Sequence, residues 1–117
     1  MNSNMAIRAL AALAQDHRLA IFRLLVRQGS PGIPAGEIGE RIGISPTSAS
    51  FHLKELDRAG LISARREGRF IRYAFNAETM RDLLAFLMED CCQGRPELCG
   101  DLFAKVKCRP KEALVDE

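Results

Sequence analysis

Tryptophan is absent from this 117-residue chain, tyrosine occurs once, and histidine only twice. With six Phe as the remaining aromatic residues, the core has to be assembled from Leu, Ile and Ala, a composition that suits packed helices. No apolar run is long enough to cross a bilayer, and the amino-terminal Met1-Asn2-Ser3-Asn4-Met5 shows no basic stretch leading into an apolar run and cleavage site. A cytosolic protein without a membrane partner is therefore expected. Repeats and low-complexity segments are missing, and neither a Ser-His-Asp set nor a paired-carboxylate cleft is suggested, so the chain is not expected to be an enzyme. Cysteine does not occur before Cys91; all four lie at Cys91, Cys92, Cys99 and Cys108. In a reducing cytosol these are free thiols or metal ligands rather than disulfides.

Net charge is only +2, but it is unevenly distributed. Residues 33 to 75 carry seven basic against five acidic side chains, whereas residues 76 to 117 carry six against nine. Between Arg58 and Arg72 five arginines face the single carboxylate of Glu67, the footprint of an element that meets phosphates. At 13.0 kDa the chain has room for one domain and a modest core. A core this small, in a protein reading two half-sites, points to a homodimer formed by burying the apolar faces of the first and last long helices.

The patterning predicts a mostly α fold with a small β-hairpin. Ser3 or Asn4 caps a first helix that ends near Gln15 and presents Ala9, Leu10, Ala12 and Leu13. Asp16 caps a second helix through Arg27, with Leu19, Phe22, Leu25 and Val26 turned inward. After the breaker Gly29-Ser30-Pro31-Gly32, Pro34 opens a third helix that ends at Gly43. Ser45-Pro46 then starts a fourth over residues 46 to 59, because Ser accepts orphan backbone donors and Pro needs none at the first helical position. Its Ala49, Leu53 and Leu56 face the core, leaving Thr47, Ser48, Ser50, Phe51 and Lys54 outward. Leu61–Arg66 and Phe70–Phe75 read as strands joined through Glu67-Gly68-Arg69, and Asn76 caps a fifth helix striped with Met80, Leu83, Leu84, Leu87 and Met88. Gln93-Gly94-Arg95-Pro96 breaks that helix, a short last one begins at Pro96, and the domain ends about residue 108, with residues 109 to 117 a disordered tail.

Helix, glycine turn, helix and basic hairpin in that order describe a winged helix-turn-helix, which reads double-stranded operator DNA by placing its second helix in the major groove. The expected contacts come from Ser45, Thr47, Ser48, Ser50, His52 and Lys54 on that helix. Arg65, Arg66, Arg69 and Arg72 of the wing would engage the backbone or minor groove.

The stretch ISPTSASFHLKELDRAGLISARREGRFIRYAF resembles the recognition helix and wing of the arsenical-resistance repressor (ArsR) family, and ALAQDHRLAIFRLL is similar to that family's opening helices. The likeness spans roughly residues 5 to 90. It departs from the family pattern, which often has Gln after the capping Ser and a pair of His later, at Pro46 and at Phe51 before His52. The resemblance implies a metal- or metalloid-responsive repressor whose inducer site varies in position. A Cys-x-Cys pair on the third helix is missing from Ala35–Glu40, and the Asp/His set of hard-ion sensors finds no His in Glu78–Asp90. The carboxy-terminal cysteines remain, resembling members with a Cys-Cys-loop-Cys arsenite site. Trivalent arsenic or antimony favours three thiolates in a trigonal pyramid, and Cys91, Cys92 and Cys99 offer them within about residues 91 to 108.

Other readings of the same cysteines are a thiol redox switch or, with Cys108, a tetrahedral zinc or cadmium site, although Cys-x2-Cys spacing is missing. A thiol-based arsenate reductase would place Arg six residues after its Cys; Glu97, Leu98 and Lys105 stand there instead.

Overall fold

In a computed structural model, residues 1–89 are described. The expected sensor segment about residues 91–108 and the tail from 109 lie outside them. The order of elements is α1 (Ser3–Leu13), α2 (Asp16–Gln28), β1 (Ile33–Pro34), α3 (Ala35–Ile42), α4 (Pro46–Arg58), β2 (Ile62–Glu67), β3 (Phe70–Phe75) and α5 (Ala77–Met88). Met1–Phe86 forms one compact unit. This is the expected winged helix-turn-helix with one addition, the two-residue β1, which completes a three-stranded antiparallel sheet in the order β1-β3-β2.

Local chemistry accounts for the helix boundaries, with two caps shifted by one residue from expectation. Asn2 rather than Ser3 or Asn4 starts α1, its Oδ1 accepting the Met5 amide at 2.9 Å. Gln15 rather than Asp16 starts α2, its Oε1 accepting the Arg18 amide at 2.9 Å, and Asp16 sits in the first turn, where a carboxylate favours the positive end of the helix dipole. Asn76 caps α5 as expected, accepting the Thr79 amide at 3.2 Å. Pro34 is the residue before α3 rather than its first turn, because its backbone is extended and pairs opposite Arg72.

The core is aliphatic. Ile21 and Leu25 of α2, Ile33 of β1, Ile38 of α3, Leu53 and Leu56 of α4, and Leu61 and Ile62 leading into the wing are fully buried. Ala6, Ala9 and Ala12 are the small buried face of α1, and short side chains there let α1 lie close against its neighbours. On α2 the inward stripe holds Ile21, Phe22, Leu24 and Leu25, while Leu19 and Val26 are exposed, a correction to the predicted face. The 3.6-residue period leaves those two at its flanks, where one helix has no partner to receive them.

At the wing, Glu67 pairs with Phe70 across a two-residue turn of Gly68 and Arg69, and Gly68 takes φ +61°. Behind it, Gly32 has φ +99° and lies so close to β3 that any Cβ would fall on the Tyr73 carbonyl oxygen and meet the Ala74 Cβ. Two constraints, backbone hand and lack of room, therefore fix glycine where the chain enters the sheet. Gly32→Ala is expected to cost about 2–4 kcal/mol of stability, read from urea unfolding. An unchanged midpoint would show that the entry to β1 can move aside.

Candidate nucleic-acid interface

The reading helix is held by a tight crossing. Gly43 terminates α3 in a left-handed conformation at φ +83°, and the amides of Gly43 and Ile44 both donate to the Gly39 carbonyl, at 2.9 and 3.0 Å. A Cβ built on Gly39 would sit 3.4 Å from both the Ala49 Cβ and the Ile44 carbonyl oxygen. The two helices therefore meet through the smallest residues available, with Ile38 and Leu53 buried beside the contact. Ser45 then caps α4, its Oγ accepting the Ser48 amide at 3.1 Å, with Pro46 at the first helical positions.

Packing through Ala49, Leu53 and Leu56 determines which side of α4 is free. Thr47, Ser50, Phe51 and Lys54 are exposed and, with Pro46, line one shallow hollow on the outer surface. Ser48 is half-buried at the edge of that face. Of the residues predicted to read DNA, Thr47, Ser50 and Lys54 are thus brought together on one surface. The Ser45 hydroxyl is engaged in the cap.

His52 is a correction. It is only 8% exposed, turned away from the hollow and inward against α2. There its Nδ1 lies 3.3 Å from Arg18 Nη1, while Arg18 Nε donates to the Ala12 carbonyl at 2.7 Å. The His17 ring stands edge-on to it, with centroids 5.5 Å apart. Helical spacing puts position 52 about 100° round from Phe51, on the α2-facing flank. Burial, the Arg18 guanidinium and His17, in that order, hold the His52 pKa below its ordinary value. Sequence reasoning passed over Arg18, because its pairing with a histidine 34 residues on depends on how two helices cross.

The wing arginines divide into two kinds. Glu67 takes Arg72 Nε at 2.9 Å and Arg65 Nη2 at 2.8 Å, and these two bonds hold its carboxyl below the usual carboxylate range. Arg72 also donates through Nη1 to the Gly32 carbonyl at 2.9 Å, tying the hairpin to the chain entering β1. Arg66 and Arg69 are exposed and, among the described residues, form no salt bridge. One carboxylate thus neutralises part of the cluster and leaves two guanidinium groups outward.

A helix-turn-helix domain model matches residues 13–64, from the end of α1 into β2. The Escherichia coli transcriptional regulator YgaV is 32% identical over 91 residues, covering 78% of this chain and 90% of that protein. The chain belongs to the ArsR family of winged helix-turn-helix transcriptional regulators. Its fold matches the homodimeric winged helix-turn-helix DNA-binding domain of Mb0332 from Mycobacterium bovis, described as a possible ArsR-family regulator. That match has a TM-score of 0.61 and 27% identity, over 77% of this chain and 82% of that one. A probable mercury resistance operon repressor of Streptomyces lividans is 34% identical over 77 residues, 66% of this chain and 59% of that protein. In this ArsR-type regulator the helix pair α3 and α4 is followed by the β2–β3 wing, the order of a winged helix-turn-helix.

The buried histidine makes the regulator's stability depend on pH. Well above about pH 6.5 His52 is neutral in both folded and unfolded chains, and its contribution is fully present. As pH falls, the unfolded chain takes up the proton first, so stability is lost progressively towards the lower folded-state pKa. The thermal midpoint should fall between about pH 7.5 and about pH 5.5, and His52→Gln should flatten that slope. Identical slopes for the two proteins would assign the dependence to another group.

Proposed function

We propose that the protein is a homodimeric transcriptional repressor that occupies an operator through α4 and the wing, and leaves it when trivalent arsenic or antimony binds thiolates at Cys91, Cys92 and Cys99. The observation that carries the DNA-binding half is the juxtaposition of one polar, exposed face of α4, bearing Thr47, Ser50 and Lys54, with a wing whose Arg66 and Arg69 stay outside salt bridges among the described residues. Short hydroxyl side chains reach base edges and phosphates, and the amino end of α4 adds the favourable pole of its dipole. Arg66 and Arg69 displace counterions at the backbone, while Arg65 and Arg72 shape the wing through Glu67.

Dimerisation is supported by apolar surface on two helices. Ile7 and Leu10 of α1 and Leu84 and Leu87 of α5 are each more than 40% exposed, a poor arrangement for a monomer in water. Covering them with a second copy would set two α4 helices for successive major grooves about 34 Å apart.

The inducer half rests on the chemistry of the donors. Three soft thiols close in sequence suit a trivalent metalloid better than imidazole or carboxylate would, and a relative described as a mercury resistance repressor supports a soft inducer. Cys91 and Cys92 come three and four residues in sequence after α5, one of the proposed dimer helices. A metalloid that binds the released state better by about 1–3 kcal/mol weakens operator binding by roughly 5- to 150-fold.

Two experiments test this reading. In a gel-shift titration with arsenite, Cys91→Ser and Cys92→Ser should bind the operator like wild type and no longer release it; release by both variants would move the sensor elsewhere. For the wing, Arg66→Ala and Arg69→Ala should each weaken binding to any duplex and reduce the slope of log K against log salt by about 0.9. Arg72→Ala should act chiefly by lowering the unfolding midpoint. Equal salt slopes for all three variants would remove the distinction drawn between them.

A further inference from the structure

We infer that Phe51 is a specificity-determining residue that reads the 5-methyl group of thymine in the major groove, an inference that rests on α4 being the DNA reader. Phe51 is 57% exposed, although a phenyl ring is among the side chains that gain most from leaving water. It lies on the free face of α4, one helical turn beyond Thr47, and lines the outer hollow together with Thr47, Ser50 and Lys54. Its neighbours offer hydroxyl and ammonium groups for base edges and phosphates. Phe51 offers no donor or acceptor.

In the major groove the base pairs present donors, acceptors and a single apolar group, the thymine methyl. A phenyl ring held against that surface gains by covering the methyl and loses by desolvating the amino or carbonyl edges of a G·C pair, which it cannot satisfy. The ring is also held from behind. It makes a T-shaped contact with the His52 imidazole, with centroids 5.4 Å apart and planes at 65°, and His52 Nδ1 lies 3.3 Å from Arg18 Nη1. Phe51 is therefore presented from a braced position, so less rotamer freedom is lost on contact.

The test uses the full-length protein and a duplex selected by it from a random pool. Thymines are replaced by deoxyuridine at symmetric positions, which removes the methyl and leaves every hydrogen-bonding edge in place. Wild type should lose about fourfold in affinity per half-site at one such position, the value of one buried methyl. Phe51→Ala should bind the thymine duplex more weakly but show no loss on going to deoxyuridine at that position, with an unchanged salt slope. Phe51→Leu should keep part of the discrimination. The exposed position makes misfolding an unsuitable explanation, and equal unfolding midpoints for wild type and variants verify this. If no position is sensitive in wild type, or if Phe51→Ala retains the full thymine preference, the assignment is overturned while the protein remains a DNA reader. If the protein selects no duplex at all, both this inference and the DNA-binding proposal fall.

Discussion

The close crossing of α3 over α4 at Gly39 and Ala49 is the constraint on which the rest of the molecule depends. With no side chain on one helix and a single methyl on the other, the axes approach until a Cβ at Gly39 would already be in van der Waals contact with Ala49 and the Ile44 carbonyl oxygen. The outcome is a fixed rotation of α4 about its own axis: Ala49, Leu53 and Leu56 go inward and Thr47, Ser50, Phe51 and Lys54 have nowhere to go but out. The Gly43 turn, whose amide and its neighbour's both close on the Gly39 carbonyl, locks the same geometry from the backbone side.

Electrostatics refines what packing sets out. Five arginines lie between Arg58 and Arg72, but they are not equivalent. Arg58 pairs with Glu55 on its own helix, Arg65 and Arg72 share Glu67, and Arg66 and Arg69 stand apart from these pairs. These exposed pairs contribute little to stability by themselves. Their effect is to tie Arg65 and Arg72, opposite one another on the two strands, to one carboxylate, so the arginines outside these pairs are Arg66 and Arg69.

Much of this architecture was legible in the sequence, for reasons that differ by element. The Ser45-Pro46 start and the glycine turn at Gly43 are local signals, each decided within a few residues, and the structure has them in place. The short β1 was not legible, because two residues after a loop carry no periodicity and become a strand only through pairing with β3. Nor was the side on which His52 lies. A polar residue on a recognition helix reads as a DNA contact until the crossing of α2 supplies Arg18 as its partner. Leu19 and Val26 show the same limit from the apolar side, since periodicity marks a stripe but not how wide a stripe the neighbours will cover.

The bond from Arg72 to the Gly32 carbonyl has a consequence for how such a molecule can be rebuilt. The hairpin is fastened in sequence through α4 and α5, and in space by the pairing of β3 with β1 and by a guanidinium that bridges to a loop 40 residues upstream. Exchanging strands 62–75 for those of a relative would therefore sever a tether whose other end stays behind in the recipient. A chimera that transplants the loop and β1 together with the hairpin would preserve these spatial anchors, which makes the smallest exchangeable cassette discontinuous along the chain.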